Sequence, residues 1–259
     1  MMSNPPMLLV AQQSIGSTAI ALHCSRRTRV VCMLEKFGPS LYSADGPTVS
    51  FFGFPYPTRM AVARLSDGGV WVWSPIALTE ELADEVQAIG PVRHIVSPNK
   101  IHHLFLGEWA SHWPDARLYA PPGLAQRKPE IPFDDELDDE PPASWAADID
   151  QVVFRGSFAM EEVVFFHRVS RTAIVGDLIQ RHLESKMSGW KGALMRFDGL
   201  VGDRGSTPRE WQATFFQRSS TRAARKAVLE WNAERLLIAH GKCAQTGAAE
   251  ILSTALSWI

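Results

Sequence analysis

The chain has 259 residues, 46% of them apolar, and a formal net charge of −2. That composition supports a sizeable buried core and excludes a global basic field for nucleic acid or an anionic membrane. Its three cysteines, Cys24, Cys32 and Cys243, form no framework spacing and no Cys-x-x-Cys pair, so neither a disulfide scaffold nor a thiolate zinc site is expected.

Residues 1–25 are mildly apolar but lack a basic start and are interrupted by Gln12, Gln13 and Ser14. They are expected to be a loosely ordered extension, with a single domain over 26–259 of a soluble, cytoplasmic protein. No run of about 18 apolar residues predicts a membrane span.

Strands come first. Arg59 to Leu65 and Val70 to Trp73 flank Ser66-Asp67-Gly68-Gly69, where Asp-Gly supplies the positive φ of a hairpin turn. Thr79 reads as an N-cap, Glu80 and Glu81 favour the positive helix end, and Leu82, Val86 and Ile89 share one face until Gly90. Val92 to Val96 is a buried strand. Asn99 is then placed to cap a helix reaching to about Trp113, stopped by Pro114. Arg117 to Ala120 is a short strand. Residues 125–147, with prolines and an acidic run, predict an irregular surface excursion or lid whose acids are solvated.

Further strands are expected at Gln151–Phe154, Glu162–His167 and Thr172–Val175, the last two as a hairpin. A Gly-rich, Arg-containing segment spans 188–210. A helix capped by Ser220 or Thr221 should run to Arg235 with Ala224, Val228 and Trp231 inward. Its basic residues Arg222, Arg225 and Lys226 then form a solvated face. Leu236 to Ala239 is a buried strand, and the C-terminal stretch is helical with Ala248, Ile251, Leu252, Ala255 and Leu256 on one face. Strands followed by alternating strands and helices predict an α/β (α+β) protein. An αββα four-layer sandwich fits best and a doubly wound sheet second.

Three of these strands deliver chemistry at their ends: His102 and His103 after Val92–Val96, Asp177 after Thr172–Val175, and His240 after Leu236–Ala239. Each alone reads more simply as a cap or a hydrogen-bonded core group. Together they form a zinc or iron donor set that needs no thiol. Other histidines read as structural. His167 is expected in the core or at a strand edge, His112 packs beside Trp113, His94 adjoins a strand and His182 is exposed. Asn99 is explained by capping, and Glu162 is either support for the site or a surface strand position. No Gly-rich nucleotide loop and no Gly-x-Ser-x-Gly elbow occurs.

Several ordered segments carry a family resemblance: Arg59-Met60, LSDGGVWVWSP (65–75), Gly90-Pro91-Val92, VSPNKIHHLFLGEW (96–109), Pro114-Asp115-Ala116, EVVFFH (162–167), Ser170-Arg171-Thr172 and LIAHG (237–241). They resemble a domain-of-unknown-function family of the metallo-β-lactamase-fold superfamily, from about residue 48 onward. The resemblance implies an αββα sandwich with a metal site at the sheet edges, and no established reaction. On the superfamily's His-x-His-x-Asp-His motif, His103 matches the last histidine and His102 falls on the aspartate. Pro98 and Lys100 fall on the first two histidines. Asp177 matches the bridging aspartate and His240 the final histidine. Ser157 or Phe158 stands where a middle histidine belongs. The first metal's ligands are therefore absent.

The resemblance thus implies one divalent ion, zinc first and iron or manganese as alternatives, on His102, His103, Asp177 and His240. Asp177 would also orient water. Lys100 either supplies charge in place of the lost metal, polarising a substrate oxygen, or points to solvent in a helix's first turn. The expected function is a metal-dependent hydrolase of a small-molecule ester, lactone, amide or phosphoester, with the 125–147 and 188–210 segments shaping its pocket. The alternative is a catalytically inactive metallo-β-lactamase-fold scaffold that binds a small molecule or protein partner.

Overall fold

Apolar residues alternate along Val70-Trp71-Val72-Trp73, and the two sets face different layers: Trp71 and Trp73 inward between two sheets, Val70 and Val72 outward under helices. The computed structural model describes residues 34–51, 54–182, 195–197 and 199–259. The expected extension over 1–25 and most of the 188–198 stretch lie outside them.

The first sheet has seven strands in chain order: β1 (Glu35–Gly38), β2 (Leu41–Phe51), β3 (Phe54–Arg64), β4 (Val70–Trp73), β5 (Val92–Val96), β6 (Arg117–Ala120) and β7 (Asp135–Glu136). β2, β3 and β4 are antiparallel, and β4 to β7 are parallel. The parallel crossovers are α1 (Glu80–Ile89) and α2 (Leu106–His112). The second sheet runs β8 (Ile149–Phe154), β9 (Glu162–His167), β10 (Thr172–Val175), then β11 (Arg235–Ile238), which is parallel to β10. Helices α4 (Arg209–Gln212), α5 (Arg218–Glu230) and α6 (Ala248–Ala255) belong to this half; α3 (Leu124–Arg127) follows β6.

Three apolar layers hold the elements together. Trp71, Trp73, Trp145, Phe165, Ile174 and Leu237 fill the space between the sheets. Leu82, Val86, Leu106 and Trp109 cover the outer face of the first sheet. Ala224, Val228, Leu252 and Ala255 cover that of the second. The result is an αββα sandwich. Among the described residues no helix is long and apolar enough to cross a membrane.

Local readings fail where long-range partners intervene. Residues 100–105 form turns, and the helix starts only at Leu106. The Asn99 side chain still accepts from Ile101 N and His102 N, but its amide is drawn into the site, so it closes a turn instead of opening a helix. The 125–147 excursion is stitched to the core: Asp135-Glu136 extends the first sheet, Leu137 and Trp145 are buried, and Arg155 pairs with Asp138 and Asp139. α5 opens at Arg218 and closes at Glu230, which leaves Arg235 to begin β11.

Candidate metal centre

The strand directions bring one set of chain segments to a common edge. β4, β5, β10 and β11 all point their C-terminal ends there, and antiparallel β3 and β9 begin there. Functional groups gather at such ends because the strands behind them are rigid. The two sheets meet at this edge through a backbone bridge between Asn99 and Glu162, with Val163 N donating to Pro98 O at 2.8 Å.

His102, Asp177 and His240 converge, their candidate ligand atoms all within 4.8 Å of one another. His102 Nε2 lies 2.9 Å from Asp177 Oδ2 and His240 Nε2 3.1 Å from Asp177 Oδ1. All three side chains are buried or nearly so. The donor set suits a divalent cation. Two imidazoles and a carboxylate are ordinary zinc or iron ligands, and the two histidine–carboxylate spacings fall a few tenths of an ångström short of the roughly 3.4 Å edge of a tetrahedron with bonds of about 2.1 Å.

Each of the three is also fixed from behind, as metal ligands commonly are. His240 Nδ1 donates to Pro57 O at 2.7 Å. His102 Nδ1 is hydrogen-bonded to Ser74 Oγ at 2.6 Å. Asp177 Oδ2 accepts from Asn99 Nδ2 at 2.9 Å. Behind Asp177, Glu162 is 1% exposed. Its carboxylate accepts from Gly176 N (2.8 Å), Asp177 N (2.7 Å), Leu178 N (3.1 Å) and Asn99 Nδ2 (2.8 Å). Of the two readings of Glu162, support for the site is therefore the one the fold realises.

The electrostatics follow the same contacts. Burial alone would raise the Asp177 carboxyl, but the facing rings of His102 and His240 outweigh it and hold Asp177 well below the usual carboxylate range. Burial would lower His240; Asp177 and the Pro57 carbonyl reverse that and raise it. Burial, then the neighbouring Asp177 charge, push Glu162 up to about 7, against the four N–H donors that favour its ionised form. Tyr56 packs edge-on against His240 at 5.2 Å between ring centroids. Burial and Asp177 push its hydroxyl up to about 12, so it stays protonated.

The other expected site residues lie elsewhere. His103 is not brought to the cluster. Its Nδ1 is bonded to Lys100 O at 3.0 Å, and the charges that act on it are Lys128, Arg127 and Glu130. Adjacent residues on a turn diverge, so only one of the two histidines faces Asp177. The Lys100 ammonium lies beside Gly123, where an added Cβ would meet it at 3.1 Å. At the positions of the absent first-metal ligands, Ser157 bonds Thr214 Oγ1 at 2.6 Å and Phe158 is an exposed ring stacked on Phe216. His167 is buried on Ser170 Oγ and His112 packs on Trp113. His182, expected to be exposed, is buried with Nε2 on Gln180 Oε1, because the loop after Asp177 pairs with Leu200 and Val201.

Sequence reading passed over Ser74 and the Pro57 carbonyl. A backbone carbonyl leaves no residue signature. Ser74 left one: a lone polar residue between a fully apolar strand and a proline.

Residues 49–187 match the family model described as Domain of unknown function (DUF4336). No curated protein matches in sequence. Similar solved structures are metallo-β-lactamases. DIM-1, in crystals exposed to ceftazidime, has 15% identity and a TM-score of 0.60 over 87% of this chain and 96% of that one. An enzyme from Hirschia baltica has 15% identity and a TM-score of 0.58 over 88% and 97%. FIM-1 from Pseudomonas aeruginosa, in a mono-zinc form, has 11% identity and a TM-score of 0.57 over 87% and 95%. At these identities the likeness is one of fold.

Proposed function

The chain belongs to the DUF4336 domain-of-unknown-function family, and from that premise we propose that it is a metal-dependent hydrolase working with a single divalent ion. The observation that carries this reading is the convergence of His102, Asp177 and His240, each held from behind by a fixed partner. Three protein ligands leave coordination positions open, as catalytic sites do and closed structural zinc sites do not. The mono-zinc form of FIM-1 is a precedent within the fold for one ion.

A divalent cation at this site supplies Lewis acidity, which brings the ionisation of water within reach of neutral pH. The protein's part is orientation and proton control. His240 keeps its proton at Nδ1, on Pro57 O, so Nε2 is the atom offered to the ion. Asp177 has one oxygen toward each histidine and is the group placed to orient water. Glu162 and Asn99 hold that carboxylate still. Substrates are small molecules with a hydrolysable ester, lactone, amide or phosphoester bond. Zinc is the expected metal, with iron or manganese as alternatives. Neither His103, whose ring is bonded to the Lys100 carbonyl, nor Lys100, whose ammonium lies near Gly123, enters this reading.

The test is elemental analysis of the purified protein beside a Asp177→Ala/His240→Ala double variant, followed by a panel of the four substrate classes. Near-stoichiometric metal in the wild type alone, with hydrolysis that disappears in the variant, supports the reading. No metal in either protein after reconstitution overturns it and leaves a scaffold that binds without catalysis.

A further inference from the structure

We propose that Ser74 is a positioning residue for His102, a hydroxyl that serves the ring in either of two tautomers. The proposal rests on the metal-site reading above. Ser74 follows β4, is 5% exposed, and places Oγ 2.6 Å from His102 Nδ1. Its backbone is in the left-handed region, with φ of +51°. That conformation is uncommon for a residue with a side chain, and Pro75 behind it further disfavours anything but an extended residue. The fold maintains it nonetheless, with Ser74 N donating to Val96 O at 2.9 Å. Strain of this kind persists where the surroundings over-determine it, and here it aims one hydroxyl at one imidazole nitrogen.

The two histidines of the cluster differ in what stands behind them. Pro57 O only accepts, so His240 must keep a proton on Nδ1. A serine hydroxyl both donates and accepts. With the His102 proton on Nε2, facing Asp177 Oδ2, Ser74 donates to Nδ1. When Nε2 is given to a cation, the ring keeps one proton, now on Nδ1, and Ser74 accepts it. The hydroxyl turns about its own bond, and no heavy atom has to move.

Two substitutions separate the hydroxyl from the strain. Ser74→Gly removes Oγ and relieves the left-handed backbone. Ser74→Ala removes Oγ and keeps the strain. Both should weaken zinc binding, read by chelator competition, on the order of 10–100-fold. Their thermal midpoints should differ, with Ser74→Gly the more stable. Zinc bound by Ser74→Gly as tightly as by the wild type would overturn the proposal. A second readout needs no metal: ¹⁵N resonances of histidine rings in the metal-free protein, with His102 identified by its loss in His102→Gln. The His102 Nδ1 resonance should shift in Ser74→Gly while that of His240 stays in place; an unmoved His102 signal overturns the assignment. If the wild type takes up no zinc, the hydrolase reading fails, and the ring resonances still decide for or against Ser74.

Discussion

Asn99 donates its side-chain amide to Glu162 Oε2 at 2.8 Å across the seam between the two sheets, and the same nitrogen reaches Asp177 Oδ2 at 2.9 Å. One neutral amide thereby separates two buried carboxylates. Asn99→Asp would set a third carboxylate against both. It should destabilise the protein by about 3 kcal/mol, the scale of an uncompensated buried charge. Urea unfolding curves at neutral pH check this.

Glu162 satisfies three consecutive backbone N–H groups, those of Gly176, Asp177 and Leu178. In Glu162→Gln an NH₂ group must face at least one of these donors, leaving a buried donor without an acceptor. The expected loss is about 1–3 kcal/mol in unfolding free energy, together with reduced zinc content in elemental analysis. Unchanged stability would mean that these three N–H groups find other acceptors.

Gly176 is small for a reason other than turn geometry. A Cβ there would stand 2.9 Å from Glu162 Oε2 and 3.2 Å from Asn99 Nδ2, two atoms already held in place. Gly176→Ala should therefore displace the clamp and cut metal uptake. Gly107, within α2, has open space around its position, so Gly107→Ala should instead stabilise by roughly 0.5–1 kcal/mol. Measured side by side, the thermal midpoint should fall for Gly176→Ala and rise for Gly107→Ala, and metal content should fall only in Gly176→Ala.

In the metal-free protein the Asp177–His240 pair makes stability depend on pH from both sides. His240 is raised in the folded state. Its contribution is complete below the unfolded histidine value of about 6.5 and is lost as pH rises through the folded value. Asp177 is lowered. Its contribution is complete above about pH 3.9 and is lost as pH falls toward the folded value. The pair therefore stabilises most between these limits. His240→Gln should remove the decline above about pH 6.5, read from urea midpoints across the range. Zinc affinity should follow the opposite trend and strengthen with pH, because Nε2 must give up its proton to bind.

The layers and most strands were legible in the sequence because apolar runs of four to six residues, ended by a polar group, mark buried strands directly. Asp177 and His240 were visible for the same reason, each being the first chemically capable residue past such a run, while His102 stands six residues past Val96. What the sequence could not resolve was direction. His102 and His103 are adjacent, and only the turn set by Asn99 Oδ1 decides which ring faces Asp177. Long-range contacts were equally invisible. His182 read as exposed because its cover comes from residues 200 and 201, and Asn99 read as a helix cap because its partners lie 63 and 78 positions away. β1 and most of β2 lacked a recognisable pattern, β2 being fixed by its pairing with β3 and β1 by its pairing with β2.

Among the described residues the first sheet is complete by Glu136 and the second begins at Ile149, so the chain passes between them once. Pro57, Ser74, Asn99 and His102 come from the earlier half; Glu162, Asp177 and His240 come from the later one. Neither half owns the centre. Severed within 137–148, the protein would become two fragments, each with only part of the ligand set, and tight zinc uptake would serve as a signal that the pieces had found each other.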